Sequence, residues 1–244
     1  MLQGVKMKRK INIIFLHHST GNNVWQGGVP EWIADYNTKN NTSYFITESA
    51  FPKKVPYGWK NYPFDYYNIW VKNSGNLSYL EEPTLEMLTS EYNVICFKHC
   101  FPVSRVKADT GNPDIESEEK TLENYKLQYN AIKEKLHQFP DTKFILWTGA
   151  ALVKAQTTEE EAIRANEFFT WVKEHWNEQK DNIYLWDFRE LETGGGLYLK
   201  DENAFNSNDS HLNPRFAEKV SPLFCNRLIN IIENRGDETN LTGE

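Results

Sequence analysis

The 244-residue chain has little cysteine, and its three cysteines, Cys96, Cys100 and Cys225, are not arranged in repeated pairs. The first two lie on or just after one apolar run, whereas zinc sites and disulfide frameworks use recurrent paired spacings. We therefore expect no disulfide framework and no structural metal, and we interpret Cys100 as a small, buried, inert side chain. No sequence feature indicates a cofactor.

Positive charge is also scarce in this chain. Lysine and arginine number 27 against 34 aspartate and glutamate residues, which gives a formal net charge of −7 and a pI of about 5.5. A chain without a basic excess has no general means of releasing counterions from a phosphate backbone, so we expect no nucleic-acid partner.

Long hydrophobic runs are absent as well. The first apolar run, residues 11–16, follows a basic N-terminal extension at residues 1–10 and is too short for a signal peptide or a membrane span. We interpret it as a strand and expect a soluble protein with no membrane partner, cytoplasmic unless an export signal has been removed. The expected organisation is one domain at residues 11–234 and a polar, disordered tail at residues 235–244. The sequence carries no signal for an oligomeric state.

Short apolar runs alternate with helical periodicity along the chain. The runs predict strands at residues 11–16, 44–47, 94–97, 144–147 and 183–186. The helical patterns lie at residues 83–90, 118–139, 159–178 and 214–234. Strands that alternate with helices of this length predict a three-layer α/β/α sandwich, in which helices cover both faces of a parallel sheet of about five strands.

Two polar segments carry candidate catalytic side chains. Residues 17–23 read His-His-Ser-Thr-Gly-Asn-Asn and follow the first predicted strand, where open α/β sheets place their chemistry. Residues 208–214 read Asn-Asp-Ser-His-Leu-Asn-Pro and precede the last helical pattern. On its own Ser19 would fit a helix N-cap or a turn. With His211 as a base and Asp209 as the carboxylate that orients it, Ser19 completes a nucleophilic triad.

The order of these segments resembles the SGNH (GDSL-type) hydrolase superfamily, from residue 11 to about residue 232. The resemblance implies a flavodoxin-like fold, a serine nucleophile, a C-terminal histidine base and an oxyanion hole completed by a glycine and an asparagine. Gly75, in Asn-Ser-Gly-Asn, matches the second-block glycine. The first block reads His-His-Ser-Thr-Gly instead of Gly-Asp-Ser. The acid precedes the histidine by two residues, which resembles the Asp-x-His subset that includes some polysaccharide O-acetylesterases and O-acetyltransferases.

The third sequence block of the family, Gly-x-Asn-Asp, is missing after residues 94–97. The resemblance implies that the amides of Ser19 and Gly75 donate to the oxyanion, and a further donor must replace the missing asparagine. We favour His99, because it lies at the exit of the third predicted strand, where the family keeps that asparagine. Asn22 and Asn23 are the alternatives.

An irregular aromatic stretch, residues 50–78, has no clear period and is typical of a functional loop. Its aromatic side chains, Trp59 and Tyr66 among them, offer stacking surfaces for sugar rings. Asn22, Asn23 and Arg105 are further candidates for substrate binding, Arg105 for an anionic group. We therefore expect a serine esterase acting on a carbohydrate ester such as an O-acetyl group. Acyl transfer to a glycan by the same triad, and a non-catalytic glycan-binding module on this fold, are the alternatives.

Overall fold

The computed structural model describes residues 10–58 and 60–244 and is built around a parallel sheet of five strands. The strand order is β2-β1-β3-β4-β5, so that β1 and β3 lie side by side. The strands are β1 Lys10–His17, β2 Ser43–Ala50, β3 Val94–Phe97, β4 Lys143–Trp147 and β5 Ile183–Trp186. Each corresponds to one of the apolar runs that the sequence analysis assigned to a strand.

Helices connect the strands. They are α1 Ser19–Gln26, α2 Val29–Asn40, α3 Pro63–Tyr67, α4 Leu85–Glu91, α5 Leu122–His137, α6 Glu159–Trp171, α7 Phe188–Thr193 and α8 Pro214–Ile232. Turns of π-helix follow α3 at Asn68–Lys72 and α6 at Val172–Trp176, and 3-10 turns lie at Phe101–Ser104 and Lys154–Gln156. Within the described ranges, none of the helices is both long enough and apolar enough to cross a membrane.

Side chains of the sheet alternate between two hydrophobic cores. In β1, Ile14 and Leu16 pack with α3, α4, α5 and α6, whereas Ile13 and Phe15 pack with α1, α2, α7 and α8. This period-two alternation follows from the pleat of a strand. Because both faces are covered, β1, β3, β4 and β5 are apolar along most of their length, whereas the edge strand β2 is only partly buried. The predicted three-layer α/β/α sandwich is confirmed.

A two-stranded antiparallel hairpin precedes the last helix. Its strands are β6 Ala204–Asn206 and β7 Asp209–Leu212, and α8 starts directly afterwards with Asn213 as its N-cap. Ser210 is buried, and its Oγ accepts a hydrogen bond from Val153 N–H at 3.0 Å. That bond fastens the hairpin to the loop that leaves β4. The sequence pattern predicts no strand in this segment.

The C-terminal segment, residues 235–244, is packed against the sheet rather than disordered. Arg227, only 1% exposed, donates from its guanidinium to Gly236 O at 2.6 Å. Trp186 Nε1–H donates to Thr242 O at 2.8 Å. The prediction of a disordered tail is therefore wrong, because backbone carbonyls of this polar segment accept hydrogen bonds from buried donors that would otherwise be unpaired.

Removal of this segment should destabilise the protein. A chain that ends at Arg235 leaves donors of Arg227 and Trp186 without acceptors, and each unsatisfied buried donor costs about 1–3 kcal/mol. We expect the free energy of unfolding in urea to fall by several kcal/mol. As a control, Lys39→Ala removes an exposed ion pair with Asp35 and should change this free energy by less than about 1 kcal/mol. A shortened chain as stable as the full one would contradict the expectation.

Candidate active site

Ser19 is the first residue of α1, directly after the carboxyl end of β1. His18 is extended and precedes the helix, and the first intrahelical hydrogen bond runs from Asn22 N–H to His18 O at 3.0 Å. The amides of residues 19–21 therefore have no acceptor within the helix. Ser19, half-buried, stands at the positive end of the α1 dipole.

Close packing against β1 fixes the start of α1. A Cβ atom at Gly21 would lie 2.4 Å from His17 Cβ, so only glycine allows the helix to approach the strand this closely. His17 Nε2 contacts Glu48 Oε2 at 2.7 Å, and His18 Nε2 contacts Pro52 O at 2.6 Å. Burial lowers the pKa of His17 to about 4. The two adjacent histidines thus bind separate partners and hold the exit of β1 in place.

His211 and Asp209 form a hydrogen-bonded pair on one face of β7. His211 Nδ1 lies 2.6 Å from Asp209 Oδ1, and the same oxygen accepts the His211 backbone N–H at 2.9 Å. These two hydrogen bonds, the backbone one first, lower the pKa of Asp209. Because residues two apart on a strand share a face, the spacing of Asp-x-His suits a strand, while the intervening Ser210 points into the protein. The side chains of His211 and Asp209 remain 43% and 38% exposed.

Three contacts bring Ser19 and His211 to the same edge of the sheet. Ser19 Oγ lies 3.3 Å from Cys100 Sγ, just past β3, and the ring of the next residue, Phe101, lies 5.2 Å from the His211 ring. One helical turn after Ser19, Asn23 Oδ1 accepts the N–H of Leu212 at 3.3 Å, next to His211. Among the described residues, the hydrogen bond of the Ser19 hydroxyl is the one to Cys100; none joins it to His211.

Lys98 was missed by the sequence analysis. It follows the last residue of β3 and is fully buried, with Nζ donating to Thr20 Oγ1 at 2.5 Å. Burial lowers the pKa of Lys98 and raises that of the buried Glu192 to about 8. The signal available in the sequence is a lysine directly after four apolar strand residues, at the edge where parallel sheets carry their sites.

Gly75 does not lie at this edge. Its N–H donates to Glu86 Oε2 at 3.1 Å, and Glu86 in turn pairs with Lys135 near the C-terminal end of α5. Helices that connect parallel strands run back across the sheet, so the end of α5 lies at the amino edge, opposite Ser19. The assignment of Gly75 as an oxyanion donor is wrong, because its amide donates to a carboxylate and is remote from Ser19.

His99 is likewise not placed to donate to an oxyanion. It is fully buried, with its ring 4.5 Å from that of Tyr66 and 5.6 Å from that of Tyr129. Within residues 10–58 and 60–244, neither ring nitrogen has a hydrogen-bond partner, and neither is open to solvent. Burial, with a smaller contribution from Lys98, lowers the pKa of His99 to about 3. The sequence-based assignment of His99 is wrong because the residue points into the aromatic core.

The aromatic stretch supplies core rather than a sugar platform. Tyr66 is fully buried and donates its hydroxyl to Lys98 O at 2.7 Å, so its assignment to substrate binding is wrong. Trp59 lies outside the described residues. Asn22 and Arg105 are exposed, and Asn23 bridges α1 to β7 as described above. Five further aromatic residues of the stretch are also buried: Phe51, Tyr62, Phe64, Tyr67 and Trp70.

A cavity of about 480 Å³ lies beside the 3-10 turn Phe101–Ser104. Pro102 forms part of its wall, and the remaining lining is Lys60, Tyr62, Glu118, Glu119 and Lys120. The cavity therefore adjoins the segment that contacts both Ser19 and His211, and four of its six lining residues are charged. Within residues 10–58 and 60–244, no group of three or more His, Cys, Asp or Glu side chains is arranged to hold a metal ion.

Comparison with known proteins yields likeness in fold alone. No family model and no curated protein matches the chain. Among similar solved structures, an acetyl xylan esterase is 16% identical with a TM-score of 0.49, over 86% of this chain and 96% of the esterase. A gut microbial diltiazem-metabolizing enzyme is 9% identical with a TM-score of 0.47, over 94% of this chain and 47% of that enzyme, so this chain spans about half its length. Similarity at this level does not indicate the activity of this chain. The activity is inferred only from the residues of the candidate site.

Replacing His99 by phenylalanine tests whether the His99 side chain is buried in its neutral form. Its pKa falls from 6.5 to about 3 on folding, so between these values the unfolded chain binds a proton that the folded protein does not. Stability is therefore lost as the pH falls below about 6.5, by up to about 1.4 kcal/mol per pH unit from this residue. We expect His99→Phe to reduce this acid-side loss between about pH 6.5 and pH 4, measured by urea unfolding. An unchanged pH dependence would show that His99 is not buried as a neutral side chain.

Proposed function

We propose that the protein is a serine esterase in which Ser19 is the nucleophile, His211 the general base and Asp209 the carboxylate that orients it. The observation that carries this proposal is the His211–Asp209 pair at 2.6 Å on the half-exposed face of β7, a strand that Asn23 links to the helix beginning with Ser19. A serine hydroxyl is a poor nucleophile at neutral pH and needs a base to take its proton. The resemblance to the SGNH superfamily implies the same roles.

The proposed reaction has two acyl-transfer steps. Ser19 Oγ turns from Cys100, attacks the acyl carbonyl carbon and gives its proton to His211 Nε2, which is free because Nδ1–H faces Asp209. The bond to the leaving alcohol breaks, and that alcohol oxygen takes the proton from His211. A water then attacks the acyl-enzyme, passing its proton to His211. Collapse of this second intermediate releases the carboxylic acid and returns the proton to Ser19.

Each tetrahedral intermediate carries negative charge on its oxygen. This charge is stabilised by hydrogen-bond donors that already point towards that oxygen before the reaction. With Gly75 and His99 placed elsewhere, the first turn of α1 supplies the remaining candidates, because the amides of Ser19, Thr20 and Gly21 precede the first intrahelical bond. The positive end of the helix dipole favours an anion at this position. We therefore assign the Ser19 amide as the principal oxyanion donor.

A carbohydrate ester is the substrate that the hairpin favours. In its ladder, which is irregular between Ala204 and Asn206, Ala204 pairs with Leu212 and both are buried, whereas their neighbours Phe205 and His211 lie on the solvent side. Phe205 is 62% exposed on that side, and Phe101 contacts the His211 ring. An exposed aromatic ring beside the base offers a flat apolar surface to a sugar ring. The proposed substrate is therefore an O-acyl group, such as acetyl, on a carbohydrate.

Ser19→Ala should abolish hydrolysis of p-nitrophenyl acetate, since no other group replaces the nucleophile, and should prevent covalent labelling by a fluorophosphonate. Asp209→Asn should reduce turnover by roughly a hundredfold or more, because the His211 tautomer is no longer fixed. Ser207→Ala, which changes an exposed serine in the hairpin loop, is the matched control and should remain active.

Labelling at a residue other than Ser19 would refute the assignment of the nucleophile. Addition of an acceptor sugar separates hydrolysis from acyl transfer, because transfer yields an acylated sugar in place of free acid. A wild-type protein that binds sugars but neither hydrolyses the ester nor reacts with the fluorophosphonate would refute the esterase and favour a glycan-binding module.

Phe205→Ala should weaken binding of an acetylated oligosaccharide and spare a small ester. We expect KM for the oligosaccharide to rise by about tenfold, the value of a contact worth about 1.4 kcal/mol, with p-nitrophenyl acetate kinetics unchanged. Phe45→Ala is the matched control, because Phe45 is also exposed (53%) but lies on the edge strand β2, opposite Asn12 near the start of β1. Equal effects of Phe205→Ala on both substrates, or none on either, would refute a stacking role.

A further inference from the structure

Lys98 is a buried basic residue that has no role in the reaction steps proposed above. Its side chain is fully buried, and in the part of the chain that the structure describes it forms no ion pair; its Nζ donates to Thr20 Oγ1. Taking an ammonium group out of water costs several kcal/mol, so this placement needs an offsetting interaction or a function. Buried charges with perturbed titration cluster at functional sites, which makes this lysine a candidate.

The surroundings of Lys98 point toward the start of α1. Thr20, which accepts its hydrogen bond, is fully buried and follows Ser19 directly. On the other side Glu192 is buried and accepts Ala151 N–H at 2.8 Å. The titratable groups that interact electrostatically with Lys98 are Glu192, Cys100, His17, His18 and His99. In the described part of the chain, the hydrogen-bond acceptor of Lys98 Nζ is Thr20 Oγ1, in α1.

We propose that Lys98 is a positioning residue for the ester hydrolysis proposed above: through Thr20 it holds the first turn of α1 so that the Ser19 amide and hydroxyl face the edge where His211 lies. This inference rests on the proposed function. The proposal accounts for a lysine where the SGNH pattern has a Gly-x-Asn-Asp block. Lys98 would act through Thr20, next to the proposed nucleophile, and would not contact the oxyanion itself.

The start of α1 depends on such support. Its sequence, Ser-Thr-Gly-Asn-Asn, has low helix propensity, and the residue before it provides no side-chain cap. A donor aimed at an oxyanion is effective only if it is fixed before the charge develops, since reorientation during the reaction would cost free energy. The hydrogen bond from Lys98 to Thr20 supplies this fixation at the second residue of the helix.

The test is Lys98→Met, which keeps an unbranched side chain and removes the ammonium group. The number of active sites is first counted by fluorophosphonate titration, so that any misfolded fraction is discounted. We expect kcat per active site for p-nitrophenyl acetate to fall by about tenfold to a hundredfold, with KM changed by less than about threefold, because the positioned donors act mainly in the transition state. A purely structural lysine would lower the number of active sites and leave kcat per site unchanged, and that result would overturn the proposal.

Two threonine variants check that the effect runs through Thr20. Thr20→Val keeps the shape and loses the hydroxyl, so it should reproduce the loss of kcat; Thr20→Ser keeps the hydroxyl and should restore most of it. Lys135→Met is the matched control, because Lys135 is also buried but pairs with Glu86 at the opposite edge of the sheet, and its kcat per site should equal that of wild type. A full-activity Thr20→Val variant would overturn the proposal.

A second measurement separates this proposal from the esterase itself. If wild type hydrolyses no ester, the proposed function fails, and amide hydrogen exchange still reports on the helix. Lys98→Met should accelerate exchange at Asn22 and Asn23, the first bonded amides of α1, while Lys135→Met should not. Unchanged exchange at these amides would overturn the positioning role whatever the activity.

Discussion

The parallel pairing of β1 with β3 is the constraint on which the site depends. The ladder pairs Leu16 with Phe97 and continues with Lys98 N–H donating to Leu16 O at 3.3 Å, so both strands end at the same level. Ser19 can therefore meet Cys100 across the exit of the sheet. A shift of this register by one residue would turn alternate side chains to the wrong core and separate the two turns. Hydrophobic burial on both faces of the sheet thus fixes the relative positions of the polar groups at its carboxyl edge, although these groups contribute little to the core.

The strands could be predicted because each is a short apolar run bounded by polar residues, whereas α1 could not. Its residues favour turns and caps, and it becomes a helix through tertiary contacts: Ser221 Oγ donates to Val24 O at 2.6 Å, and Val24 is buried against α8. The hairpin was missed for a similar reason, since β7 has only four residues and its alternation is visible only once Ser210 is known to point inward. The prediction of Ser19, Asp209 and His211 as a triad was made from their chemistry and did not need these elements.

The oxyanion assignments went wrong because position along the chain does not specify a face. Beyond β3, side chains continue to alternate: Cys96 and Lys98 face the layer that contains α1, whereas Phe97 and His99 face the aromatic core around Tyr66. Counting this parity from Cys96 would have selected Lys98 over His99. The position of Gly75 could not be predicted in this way. The irregular loop before it has no periodicity that indicates at which edge of the sheet Gly75 lies.

The proposed base, His211, and the proposed nucleophile, Ser19, lie on separate elements that are joined by hydrogen bonds between neutral groups. Ser210 ties β7 to the loop after β4, and Asn23 ties α1 to the same strand one residue from His211. Neither bond involves an ionisable group, so the frame of the site does not change as His211 gains and loses its proton. In the proposed reaction the charge that changes is that of His211, which lies on the half-exposed face where solvent reaches it. The spacing of two residues on β7 therefore has two consequences. It places Asp209 and His211 on the same face of the strand, and it turns Ser210, between them, inward, where it fastens the strand to the loop after β4.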